Sequence, residues 1–246
     1  MLSPLYNHFP EHADLFIDTF AGSGVAGLNA PIPTVILNDL NPTIYNLHLT
    51  VKQENPFLLA TLLEELEISE EEFNRQQAIL DSHQATPIDK AVAALYIYNN
   101  SFNAAGKQFA NRHQDHISLS IGDSLLAAHQ RLKHATILNE PALDIVAQYK
   151  DFPKALLYLD PPYLDQTREA KRVYKCEMSE PAAHAELLKA IIDSKAKILL
   201  SGYESELYDS LLLPNGFNKH LLLTTFKASS PNQKKPEARE FIYKNY

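Results

Sequence analysis

FIDTFAGSGVAGLN, residues 16–29, sets a short apolar run directly before Gly22-Ser23-Gly24-Val25-Ala26-Gly27. Such a run suits a buried strand, and a G-x-G-x-x-G turn lets a strand bend sharply into a helix. Seventeen residues past Gly22 an acid, Asp39, closes a second apolar run, VILND. A strand, a glycine turn and a second strand ending in an acid come close to the fingerprint of a nucleotide-binding α/β unit. The glycines alone are a weak signal, because tight turning explains them equally well. The surrounding chain has to decide.

Further short apolar, β-branched runs follow at 34–37, 136–138, 155–159, 197–201, 221–226 and 240–243, and the first strand is expected over 15–20. Helical patterns separate many of them. Over 181–194, Ala182, Ala185, Leu188, Ile191 and Ile192 recur on one face, and 205–213 is a second candidate. Strand alternating with helix predicts an α/β fold with a largely parallel sheet. Residues 54–133 break the alternation. No buried strand is expected there, but helices are, over 56–66, 69–82 and 87–98. Ser69-Glu70-Glu71-Glu72 reads as a capping-box start. The expected organisation is therefore one domain from 1–53 and 134–246, interrupted by a helical insert over 54–133. The stretch 228–239, ASSPNQKKPEAR, reads as a loop before the last strand.

At 246 residues, with 45% hydrophobic and 21% charged, the chain can bury a sizeable core. A net charge of -8 advertises no nucleic-acid partner, although it says little about a local groove. The single cysteine, Cys176, excludes a disulfide framework and a Cys-rich zinc site. The histidines, His8 and His184 among them, show no metal-ligand spacing, so no metal is expected. MLSPLYNHFPEH lacks the pattern of a secretory signal, and no apolar run reaches membrane-spanning length. A soluble, cytoplasmic protein with no membrane partner is the expectation.

Asp18 discriminates between ligands for the glycine turn. It lies four positions before Gly22, where a dinucleotide would place its pyrophosphate. A carboxylate there opposes phosphate. S-adenosylmethionine (AdoMet) carries an ammonium, a sulfonium and a ribose diol instead, so Asp18 suits its cationic end and Asp39 its ribose.

LLYLDPPYL, residues 156–164, is the more specific motif, with Asp160-Pro161-Pro162-Tyr163 directly after an apolar run. A given tetrapeptide recurs by chance in roughly one chain in a thousand of this size. Open α/β sheets bind ligands at this end of their strands. The exocyclic amine of adenine is a poor nucleophile because its lone pair is delocalised into the ring. An acid and a backbone carbonyl can accept its two N–H bonds and aim that lone pair at a methyl group. Prolines hold the carbonyl rigidly, and the tyrosine offers a flat face to an extruded base.

With FAGSG at 20–24, NDLN at 38–41 and DPPY at 160–163 in that order, the chain resembles the N6-adenine-specific DNA methyltransferases of the DNA adenine methylase type. The segments 95–109, 197–209 and 239–246 also look like that family, so the resemblance spans most of the chain. It implies a Rossmann-like AdoMet-dependent sheet with a helical target-recognition insert. It implies that Asp18, Phe20, Gly22 and Gly24 line the methionine end of AdoMet, and that Asp39 holds the ribose. Asp160, Pro161, Pro162 and Tyr163 would be catalytic, with Asp160 also near the cofactor, and transfer would be direct. Asn139 would close the third strand beside the adenine of AdoMet.

Two departures stand out. The family's N-terminal segment, with an aromatic, glycines and a lysine, is expected to be missing, since the chain reaches Phe9-Pro10 almost at once. After Asn139-Glu140, Pro141 occupies the place where the family carries an acid.

Double-stranded DNA is the implied partner, and a cognate restriction endonuclease would be a second. The stretch 167–175 carries Arg168, Lys171, Arg172 and Lys175 beside the catalytic motif, suited to phosphates. Asn103, Lys107 and Arg112 in the insert are candidates to read bases or phosphates. The acids Glu64, Glu65, Glu67, Glu70, Glu71 and Glu72 are expected on a solvated face turned away from DNA. Two alternatives remain open from the residues: a non-catalytic DNA-binding relative, and an amine methyltransferase acting on RNA.

Overall fold

The computed structural model describes residues 2–102, 106–110, 118–162, 180–226 and 237–246. The chain divides into two compact units, Met1–Leu40 with Glu140–Tyr246, and Asn41–Asn139. Among the described residues, no helix is long and apolar enough to cross a membrane.

The first unit rests on strands, numbered here along the chain, that are apolar nearly throughout. β1 (Leu15–Asp18) is buried at all but its first residue, and β4 (Ala155–Leu159) is buried completely, as strands covered on both faces must be. β1 runs parallel to β2 (Thr34–Asn38) on one side and to β4 on the other. β4 continues in parallel to β5 (Lys197–Tyr203). β7 (Glu237–Lys244) lies antiparallel to β5, and β6 (Asn218–Phe226) antiparallel to β7. The six strands of this unit follow the order β2-β1-β4-β5-β7-β6. From β1 the chain first builds outward to β2, and later returns to β1's other side as β4. Ligands of open α/β sheets bind where the order reverses in this way, at the carboxyl ends of the strands. Asp18 is in register with Leu37 and Tyr158, so Asp18, the turn after it and Asp160 emerge at one edge.

One sheet face carries Phe16, Leu156, Tyr158, Leu199 and Ile242, packed with Leu5 of α1 (Leu2–Tyr6) and Ala26 of α2 (Val25–Leu28). Phe16 stacks against both Phe9 and Tyr158. The third glycine of the turn, Gly27, serves this packing. A Cβ added there would lie 2.3 Å from Cδ2 of the buried Leu37 and 3.3 Å from Cγ1 of Val35. Gly27→Ala should therefore destabilise the protein by about 1–3 kcal/mol through overpacking. A melting temperature equal to that of the wild type in thermal unfolding would contradict this.

The remaining helices of the unit are α8 (Ala142–Tyr149), α9 (Pro181–Ile191) and α10 (Glu206–Leu212). The expected apolar face of α9 is shifted. His184, Leu187, Leu188 and Ile191 are buried, whereas Ala182 is exposed, because the helix spends its inward positions on larger side chains and one histidine. Two expected boundaries also move. β1 stops at Asp18 rather than Phe20: the Thr19 N–H still bonds the Tyr158 carbonyl of β4 at 3.0 Å, but the Ala21 N–H has already turned to the Asn38 carbonyl of β2. The last strand begins at Glu237, inside the expected loop, because 237–239 pair with Phe226, Thr225 and Thr224 of β6.

The second unit comprises α3 (Pro42–Gln53), α4 (Pro56–Glu64), α5 (Glu70–Asp81), α6 (Pro87–Asn99), α7 (Ser118–Leu132) and the short β3 (Thr136–Leu138). Four of its helices open with a side-chain cap, from Asn41, Asn55, Ser69 and Thr86, and three place proline at the first turn. Both devices satisfy or remove N–H groups that a helix start leaves unpaired. α6 packs against both α3 and α5, and its buried Ala91, Val92, Ala93 and Ala94 let them approach closely. The acidic row is not wholly solvated. Glu64, Glu65, Glu67, Glu70 and Glu71 are exposed, but Glu72 is buried, accepting from Arg75 at 2.7 Å and Gln76 at 2.6 Å. Those two donors offset the cost of burying its charge.

Candidate active site

The turn after β1 is shaped by its glycines and tied to β2. Gly22 and Gly24 both adopt positive φ, 49° and 72°, a region that side chains with a Cβ disfavour. The Ala21 N–H donates to the Asn38 carbonyl, and the Gly22 N–H to Oδ2 of Asp39 at 2.8 Å. Asn38 is fully buried and works in both directions. Its amide donates to the carbonyls of Thr19 and Glu140, and its Oδ1 accepts from the Glu140 N–H. Asp39 thus carries a structural bond to the glycine turn whatever else it holds.

Three carboxyls crowd the same end of the sheet. Asp18 is 1% exposed, and its Oδ1 has no hydrogen-bond partner among the described residues. Burial pushes its pKa up to about 8, helped by the charge of Asp160 and less by that of Asp39, against hydrogen bonds from the Phe20 and Gly27 backbone. Burial also raises the Asp160 carboxyl, while hydrogen bonds from Ser201 and Tyr158 pull it down. Such an arrangement repels a pyrophosphate and favours a cation or an N–H donor.

Asp160 directly follows β4. Ser201 of β5 donates to its Oδ1 at 2.8 Å, which fixes the carboxyl from below. Pro161 is buried and Pro162 half-buried. Nε2 of the buried His184 lies 3.0 Å from the Pro162 carbonyl, and its Nδ1 lies 2.7 Å from the Tyr208 hydroxyl. Tyr208, also buried, packs edge-on against Tyr243.

The structure brings Asp18, Gly22, Gly24, Asp39, Asp160, Pro161 and Pro162 into one unit, with the half-buried Phe20 among them. Asn139 and Lys107 belong to the second unit, and both are exposed. Tyr163, Asn103, Arg112, Arg168, Lys171, Arg172 and Lys175 lie outside the described residues. Asn38, Ser201 and His184 escape a reading of local motifs. Asn38 sits within NDLN but next to the more conspicuous acid. Ser201 and His184 gain meaning only from partners 41 and 22 residues away.

No curated protein matches this chain. A family model does, over residues 1–224, and its description is the D12 class of N6 adenine-specific DNA methyltransferases. Methyltransferases of this family draw on AdoMet and act on DNA, and the match favours neither a non-catalytic relative nor an RNA enzyme. With the match covering nearly the whole chain, an Asp-Pro-Pro run at the carboxyl end of β4 and a glycine turn closing β1, this chain belongs to the N6 adenine-specific DNA methyltransferases of the D12 class, enzymes that methylate adenine in DNA.

Proposed function

We propose that the enzyme methylates adenine at a specific DNA site after turning the base out of the duplex, with the residues named below in the stated roles. The observation that carries this is the buried Oδ1 of Asp18, unpartnered among the described residues, beside Asp160 at the strand ends where ligands of this architecture bind. A buried acceptor of that kind fits the ammonium or sulfonium of AdoMet. Among the described residues, an added Cβ at Gly22 would meet just the Phe20 carbonyl, at 4.0 Å, so they leave room for a ligand at the turn.

Asp18, Phe20, Gly22 and Gly24 would hold the methionine end of AdoMet, Asp39 the ribose, and Asn139 would flank the adenine ring. Bound AdoMet supplies an electrophilic methyl group. Asp160 and the Pro161 carbonyl accept the two N–H bonds of the target amine, and Pro162 stiffens the carbonyl that precedes it. Tyr163 stacks on the extruded base. The catalytic domain is 1–53 with 134–246, and the helical insert 54–133 recognises the target. A cytoplasmic enzyme paired with a cognate restriction endonuclease would fit this chemistry, with methylation marking the protected sites.

The test is to incubate the protein with AdoMet and unmethylated duplex DNA, digest to nucleosides and measure N6-methyladenine by mass spectrometry. Methylation of RNA in preference to DNA would overturn the substrate assignment. Arg168, Lys171, Arg172 and Lys175 grip phosphates in this reading. Replacing Lys171 and Arg172 together by alanine should weaken binding to all sequences and reduce the salt slope of log affinity by about 2. An unchanged slope, measured by fluorescence anisotropy, would remove that segment from the interface.

A further inference from the structure

We infer that His184, bonded between Tyr208 and the Pro162 carbonyl, is the positioning residue that sets the Pro161 carbonyl against the target amine. The inference rests on the catalytic reading proposed above. A carbonyl oxygen only accepts, so the Nε2 that faces Pro162 at 3.0 Å must carry the proton. In neutral imidazole the other nitrogen is then an acceptor, and it receives the Tyr208 O–H at 2.7 Å. The pair therefore fixes one tautomer and one ring orientation.

The effect reaches the reacting group through proline geometry. Pro162 has its φ locked by its ring. Only one soft torsion, ψ, then separates its anchored carbonyl from the peptide plane before it, and the oxygen of that plane belongs to Pro161. Ser201 holds the Asp160 carboxyl by its own bond, at 2.8 Å. The two acceptors offered to the amine thus each have their own support. The strut is itself held firmly. His184 is 1% and Tyr208 3% exposed, and Gly202 leaves space that a Cβ would invade at 3.0 Å from Tyr208 Cε2. A solvated histidine filling space would need neither the buried hydroxyl nor the aligned carbonyl.

Three variants separate positioning from packing. His184→Phe keeps a ring but loses both bonds, and should lower single-turnover methylation about 10- to 100-fold through misplacement of the carbonyl. AdoMet affinity and DNA affinity should stay within about twofold, because His184 and Tyr208 are buried. His184→Gln places an amide N–H near the Nε2 position and should restore most of the lost rate. Tyr208→Phe removes a single oxygen atom and should produce a smaller loss of the same kind, which keeps the test meaningful if His184→Phe folds poorly. Near-wild-type rates in His184→Phe, or a His184→Gln variant as slow as His184→Phe, would overturn the positioning role. Nitrogen-15 imidazole spectra give an answer independent of activity. The His184 signals should show protonated Nε2 and bare Nδ1, and the opposite tautomer would sink the proposal. An inactive wild type that shows this tautomer would overturn the catalytic reading and leave the strut standing.

Discussion

Replacing Asp160 by alanine should cost methyl transfer at least about 10³-fold, the scale set by removing a preorganised polar group from a reacting centre. The alanine variant cannot accept an N–H of the target amine, so the nitrogen keeps its delocalised lone pair. Asparagine at the same position retains an oxygen that accepts and should lose less. The fold should survive both changes. Asp160 helps to push Asp18 out of its ordinary range, so removing it relieves a repulsion, and the Ser201 hydroxyl it releases also reaches the Leu159 carbonyl at 3.3 Å. The expected result is a variant with an unchanged or raised melting temperature and almost no N6-methyladenine under single-turnover conditions. Turnover above a tenth of the wild type would take Asp160 out of the chemistry. A collapse in melting temperature would instead make it a structural residue.

The second large effect is a dependence on pH centred on Asp18. In the folded protein this carboxyl releases its proton near pH 8 instead of near 3.8. Between those values the folded state keeps a proton that the unfolded chain has given up. Stability therefore declines as pH rises through that window, and the full penalty applies above it. Asp18→Asn, neutral throughout, should melt like the wild type below pH 4 and on the order of several degrees higher at pH 9. Equal differences at the two values would contradict the assignment. Binding of a cation runs the other way. In the proposed reading Asp18 must give up its proton to face the ammonium of AdoMet, so affinity should fall below pH 8 by up to about tenfold per unit. Calorimetry at pH 7 in buffers of different ionisation enthalpy should detect about one proton released in the wild type and none in Asp18→Asn. Loss of that difference would show that Asp18 does not meet the charge.

These two acids are readable from the chain because each sits one step from a feature of local origin. β4 coincides with the expected run 155–159, since five apolar residues end abruptly at Asp160-Pro161-Pro162. α4, α5 and α6 fall close to their expected spans because Asn55, Ser69 and Thr86 announce them, helped by Pro56 and Pro87. What local pattern misses is long-range. The inward face of α9 is chosen by contacts with the rest of its unit, so periodicity within the helix places it one step off and leaves His184 unassigned. Ser201 reaches Asp160 only because β4 and β5 pair as they do. Glu72 looks like its exposed neighbours until Arg75 and Gln76 close over it. The expected spans omit α3, α7 and α8, although Asn41-Pro42 is a cap signal of the same kind as the others.

The two-way bonding of Asn38 to the backbone of Glu140 has an implication for how such enzymes diversify. The chain leaves the first unit after Leu40 and comes back at Glu140, and the Asn38 side chain staples departure to return. Everything in between leaves and re-enters the catalytic framework through a single fixed gate. Evolution, or an engineer, could then exchange the intervening stretch as a cassette. The strand ends that carry Asp18 and Asp160 would keep their spacing, because β1 pairs directly with β4 and the cassette takes no part in that pairing. Chimaeras joined just after Leu40 and just before Glu140 should therefore inherit their reaction from one parent and their sequence preference from the other.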